Sequence, residues 1–117
     1  MKTFTLNVLP KKLPKIVCNE NGITITGRSI PENPIDIFSP LIDWIRDNYA
    51  ESEKKVLIDL EYFNTITLVY LITILQHVYK IDPNSEVLWY HDDEDVADML
   101  MQNLNVKKIQ FITKNYG

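Results

Sequence analysis

Asn64 and Thr65 offer the first chemistry in this sequence. They stand between a β-rich run, residues 56–60, and an apolar-periodic stretch that starts at Thr65, with a turn over residues 61–64, so the pair marks a helix entry. The first turn of a helix leaves backbone N–H groups unpaired and carries partial positive charge, which stabilises an anionic group. Asn and Thr are also favoured N-caps, worth about 1 kcal/mol. Two readings of the hydroxyl stand side by side: a simple cap, or a group open to modification without damage to the fold.

Other polar clusters carry less. Asp59 and Glu61 form a carboxylate pair of the kind used in acid–base chemistry, but acids at a strand end more simply solvate it. His91-Asp92-Asp93-Glu94-Asp95, followed by Asp98, is the densest set of metal-type ligands. A calcium loop needs alternating ligands around a turn glycine, whereas this run has none and continues into a helical pattern, so its acids complement a helix N-terminus. Neither His77 nor His91 has a second histidine or cysteine at zinc spacing. Triad motifs, phosphate-cradling loops and dinucleotide fingerprints are missing from a chain whose glycines are Gly22, Gly27 and Gly117. The residues point to no enzyme active site, no metal and no cofactor.

The chain of 117 residues suits one domain, residues 1–117, with a core that needs no metal or disulfide. Cys18, the single cysteine, lies in an apolar run and is expected to be a small buried side chain. Sixteen acids against twelve bases give a formal charge of -4, which works against binding a nucleic-acid backbone. Neither a signal peptide nor a membrane-spanning apolar run is visible, so a soluble cytoplasmic protein without membrane insertion is expected.

The elements that position Thr65 follow from patterning. Residues 4–9 alternate weakly, and residues 10–14, punctuated by prolines, read as an extended arm. Residues 15–19 and 23–27 are strands joined through Glu20-Asn21-Gly22, whose Asn-Gly pair supplies the positive φ angles of a tight hairpin. Asn33-Pro34 and Ser39-Pro40 each spell a cap followed by proline, so a short turn precedes a helix that buries Leu41, Ile42, Ile45 and Tyr49. Residues 56–60 suit a central strand covered on both faces, and a helix over residues 65–80 follows. Residues 87–90 form a further strand, residues 92–104 a third helix and residues 107–113 a closing strand. This order, β-β-α-β-α-β-α-β, predicts an α/β mixed sheet with an N-terminal hairpin and central parallel strands packed by helices.

Projected at 100° per residue, Leu68, Leu71, Ile72, Leu75, Val78 and Tyr79 share the sheet-facing arc of the second helix. Ile66, Val69 and Tyr70 form an apolar cluster on its other side, close to Thr65, covered either by more of the chain or by a partner, which includes a second copy in a homodimer. Tyr62 and Phe63 in the entry segment read as core or rim aromatics or as contact residues.

Gly27-Arg28-Ser29-Ile30-Pro31-Glu32-Asn33-Pro34, then Phe38, Pro40 and Trp44, then Leu60-Glu61-Tyr62-Phe63-Asn64-Thr65, then Trp89-Tyr90 before the acidic run, resembles the SiaC-type regulatory phosphoproteins. The resemblance implies a STAS-like domain that works as a non-enzymatic switch. It implies a partner kinase that phosphorylates a threonine, a PP2C-type phosphatase that removes the phosphate, and an unmodified form that binds and activates a diguanylate cyclase in cyclic-di-GMP signalling. By motif the phosphoacceptor is Thr65, and Tyr62, Phe63, Asn64, Ile66, Val69 and Tyr70 surround it as the partner-binding set. Where the family commonly continues Asn-Thr-Ser-Ser, this chain has Ile66 and Thr67, which makes Thr67 a second candidate hydroxyl. The competing reading is a STAS-like module that holds a small anionic ligand or lipid head group at the helix start.

Overall fold

The computed structural model describes residues 2–6, 13–92, 95, 98, 102 and 109–116. Six strands form one sheet in sequence order: β1 (Phe4–Leu6), β2 (Pro14–Asn19), β3 (Gly22–Ser29), β4 (Lys55–Phe63), β5 (Glu86–His91) and β6 (Ile109–Thr113). β1, β2 and β3 pair antiparallel, and β3 to β6 run parallel. Helix α1 (Pro34–Asn48) and a short 3₁₀ turn (Tyr49–Glu51) link β3 to β4, while α2 (Thr65–Ile81) links β4 to β5. The mixed α/β sheet with parallel centre agrees with the sequence reading. The expected third helix over residues 92–104 falls mostly outside the described residues; within it Asp95, Asp98 and Gln102 are helical and exposed.

Burial alternates along the sheet. Ile16, Cys18, Ile23, Ile25, Val56, Ile58, Leu60, Val87 and Trp89 fill one core with Phe38, Leu41 and Ile45 of α1 and Leu71, Ile74, Leu75 and Val78 of α2. Burial pushes the Cys18 thiol up to about 12, which suits a packed, unreactive side chain. The opposite face carries half-buried Val17, Leu57, Leu88 and Tyr90, so β4 and β5 are covered fully on one side rather than on both. The apolar run at residues 56–60 concealed this, because Leu57 is apolar yet stands on the less covered face.

Several local features differ from expectation. Phe4–Leu6 is a paired edge strand, and Pro14, assigned to the arm, opens β2 opposite Gly27. In the hairpin only Gly22 takes a positive φ, +121°, so Asn21 does not share that role. Pro40 lies inside one continuous helix rather than at a second helix start. An interior proline costs about 3 kcal/mol, and here Ile37, Phe38, Leu41, Trp44 and Ile45 outweigh it as an unbroken buried stripe. Asn33 makes no backbone cap; its amide donates instead to Asp36 Oδ2 at 2.8 Å.

Candidate functional site at the start of the second helix

β4 runs on through Phe63, leaving Asn64 alone between strand and helix. The expected turn over residues 61–64 is therefore a strand end with one register shift: Gly27 pairs with Leu60 but Arg28 pairs with Tyr62, so Glu61 is the extra residue of a β-bulge. The bulge carries the end of β4 beside the end of β3, where Phe63 pairs with Ser29 and the Asn64 N–H donates to the Ser29 carbonyl at 3.2 Å.

That junction is fastened by hydroxyls. Asn64 is the N-cap, its Oδ1 accepting from the Thr67 N–H at 3.0 Å. Thr67 is fully buried, and its hydroxyl donates to the Ser29 carbonyl at 3.1 Å. The 2.8 Å contact between Ser29 Oγ and Thr67 Oγ1 then has Ser29 as the donor, since the single Thr67 proton is already spent on a carbonyl. Sequence reasoning missed this clasp, because Ser29 and Thr67 lie 38 positions apart.

The two candidate hydroxyls are thereby separated. Thr65, the first residue of α2, is exposed and makes no hydrogen bond from its side chain to a described residue. Thr67 is enclosed and doubly hydrogen-bonded, with no room for a kinase or a phosphate.

The residues around Thr65 divide in the same way. Tyr62, Ile66 and Val69 are 50%, 42% and 51% exposed, an unusual accessibility for large apolar side chains. The Arg28 guanidinium sits 5.6 Å from the centre of the Tyr62 ring. Phe63 is half-buried and packs edge-on against Trp89, and Tyr70 stacks on Phe38 at 5.1 Å, so both belong partly to the core. Asn64 is spent on capping.

The carboxylates near the site are unequal. Asp59 accepts from Lys114 Nζ at 2.7 Å and from the Tyr116 hydroxyl at 2.6 Å, drawing the C-terminal segment against β4. Burial acts to raise the Asp59 carboxyl, but the Lys114 and Tyr116 hydrogen bonds and the Lys114 charge outweigh it and hold the group below its usual range. Asp59 is thus compensated, and Glu61, exposed on the bulge, is the carboxylate that adds charge near Thr65. His91 ends β5 buried edge-on against Phe111, while Asp92, Asp95 and Asp98 are exposed. None of the helices described is long and apolar enough to cross a membrane.

Comparison with known proteins bears on this arrangement. No curated protein matches the chain. Three solved structures share its fold. Apo-SiaC from Pseudomonas aeruginosa is 17% identical with a TM-score of 0.68, covering 98% of this chain and 100% of its own. A second SiaC structure from that organism is 17% identical with a TM-score of 0.74, over 97% and 98%. The diguanylate cyclase SiaD of P. aeruginosa in complex with its activator SiaC gives 16% identity and a TM-score of 0.75, over 95% and 99%. The model of the SiaC family regulatory phosphoproteins matches residues 10–113, and the chain belongs to that family.

Proposed function

We propose that this protein is a cytoplasmic regulatory switch without catalytic activity of its own, in which Thr65 carries the signal. A partner kinase phosphorylates Thr65, a PP2C-type phosphatase removes the phosphate, and the unmodified form docks on a diguanylate cyclase and activates it. The observation that carries this reading is the contrast between Thr65, exposed at the first turn of α2 beside exposed Tyr62, Ile66 and Val69, and Thr67, buried two residues later. SiaC of P. aeruginosa, an activator of the cyclase SiaD, has the same fold and supports the choice of partner.

Phosphothreonine adds about -1.5 to -2 charges at neutral pH. At a helix N-terminus that charge is tolerated, so the fold persists. The docking surface does not persist unchanged: a dianion hydrates the rim of the Ile66 and Val69 patch, and a partner must strip that water to bind. Site-mapping mass spectrometry of the protein isolated from its own cells, paired with pull-down of a diguanylate cyclase by the unmodified form, tests the reading. Phosphate on Thr65 and cyclase capture only without it are expected; a Thr65 that is never modified would overturn it.

A further inference from the structure

We propose that Arg28 is the residue within the chain that receives the phosphate on Thr65, and that in doing so its guanidinium leaves the ring of Tyr62. The inference rests on Thr65 as the phosphoacceptor, and it names the side chain through which the phosphate reaches the docking surface.

The backbone brings the immediate neighbours of the two groups together. Arg28 directly precedes Ser29 and Thr65 directly follows Asn64, and the Asn64 N–H to Ser29 carbonyl bond of 3.2 Å joins those neighbours. Arg28 is also the cross-strand partner of Tyr62 just past the bulge, so a long side chain at position 28 lies beside the strand end that leads into Thr65. Arg28 is exposed and makes no ion pair with a described carboxylate; its guanidinium lies over the Tyr62 face at 5.6 Å. Among the described residues Lys114, the other cation near this end of β4, is held by Asp59.

Energetics favour the exchange. A cation over an exposed aromatic ring is held weakly, whereas a guanidinium binds a phosphate through two parallel charge-assisted hydrogen bonds. Tyr62, half exposed, then loses the cation that fixes its ring. Phosphorylation thereby changes the docking surface at Tyr62 as well as at Thr65.

The experiment uses full-length protein with phosphothreonine installed at position 65 by chemical synthesis, followed by a ³¹P NMR titration. A nearby guanidinium stabilises the dianion, so the second phosphate ionisation is expected roughly one pH unit lower in the parent chain than in Arg28→Gln. Glu61 is present in both and cancels. Arg28→Lys, which keeps a cation, should fall between them, and Tyr62→Leu should keep the low midpoint. Tyr62 ring resonances, read without any substitution, should shift when the phosphate is present. Equal midpoints in the parent and Arg28→Gln, or unmoved Tyr62 resonances, would overturn the proposal. Because the phosphate is installed chemically, either failure leaves the cellular role of Thr65 standing, and an unmodified Thr65 in cells would leave this titration unaffected.

Discussion

Ser29 Oγ and Thr67 Oγ1 lie 2.8 Å apart in full burial, and this contact ties the end of β3 to the first turn of α2. Thr67→Val keeps the shape and removes the hydroxyl, which leaves Ser29 Oγ without a partner, while the Ser29 carbonyl keeps the Asn64 N–H. Orphaning buried polar groups costs about 1–3 kcal/mol, so the midpoint of urea unfolding should fall by that measure with the m-value unchanged. Adding Ser29→Ala removes that orphan, and the double variant should lose less than the sum of the two single losses.

Position 65 and position 67 should respond oppositely to the same charge. Thr65→Glu places an acid in the exposed first turn of α2, where it interacts favourably with the helix dipole, so stability should stay within about 0.5 kcal/mol of the parent, and if the unmodified form docks on a cyclase as proposed, that binding should be lost. Thr67→Glu buries an unpaired carboxylate in the clasp and should cost more than about 4 kcal/mol. Circular dichroism with denaturant titration separates the two, and full cyclase binding by folded Thr65→Glu would count against charge as the signal.

Much of this architecture was legible in the sequence because it repeats at short range. The periods of two and near 3.6 place five strands and two helices, and the Asn-Thr pair after a β-rich run locates the start of α2. What escaped depends on pairing across the sheet. The bulge at Glu61 exists because β4 pairs with β3, and nothing local to residues 61–64 distinguishes a bulged strand end from a turn. The helical projection leaves Ile74 off the buried arc, although it is fully enclosed in the core. Its angle on the helix groups Tyr70 with Ile66 and Val69, but α1 brings Phe38 against its ring.

The clasp at Asp59 gives the protein a pH-dependent element at each end of the scale. Asp59 has a folded-state carboxyl below its ordinary value, so its stabilisation is present above the unfolded pKa of about 3.9 and is lost as pH falls through the lower folded value. Tyr116 is raised, by burial first, then by its bond to Asp59 and by the charges of Asp59, Asp92 and Glu61. Its contribution is present below the unfolded value of about 10 and is lost as pH rises through the folded one. Asp59→Asn should therefore reduce stability at pH 7, and the difference from the parent should shrink steadily in denaturation series taken down to acid pH. Tyr116→Phe should narrow the loss of stability that the parent shows at high pH.

Gly22 and Gly27 both adopt positive φ, +121° and +94°, yet substitution should affect them unequally. A Cβ on Gly22 would run into the Lys55 carbonyl oxygen of β4, whereas at Gly27 the nearest atom is Lys15 N at 4.0 Å. Gly27→Ala meets only backbone strain, about 1–2 kcal/mol. Gly22→Ala must in addition push β4 from β3 at the start of their ladder, so its loss should exceed that of Gly27→Ala in the same thermal or urea unfolding assay.

Exposure divides the apolar residues of α2 into those left outside the core and those that serve the fold. Val69 and Ile66 leave 51% and 42% of their surface exposed, so Val69→Asp and Ile66→Lys should change unfolding free energy by no more than about 1 kcal/mol. Tyr70→Ala removes a ring stacked on Phe38 at 5.1 Å and should cost more, on the order of 2–3 kcal/mol. If the unmodified surface docks on a cyclase, the first two variants should lose binding at native stability, because a charge introduced into a desolvated contact must be stripped of water without a partner. Calorimetric binding beside thermal unfolding resolves the two effects. Retained affinity in both Val69→Asp and Ile66→Lys would move the docking surface away from this face of α2, since no other described large apolar side chains on the first two turns of the helix are as exposed.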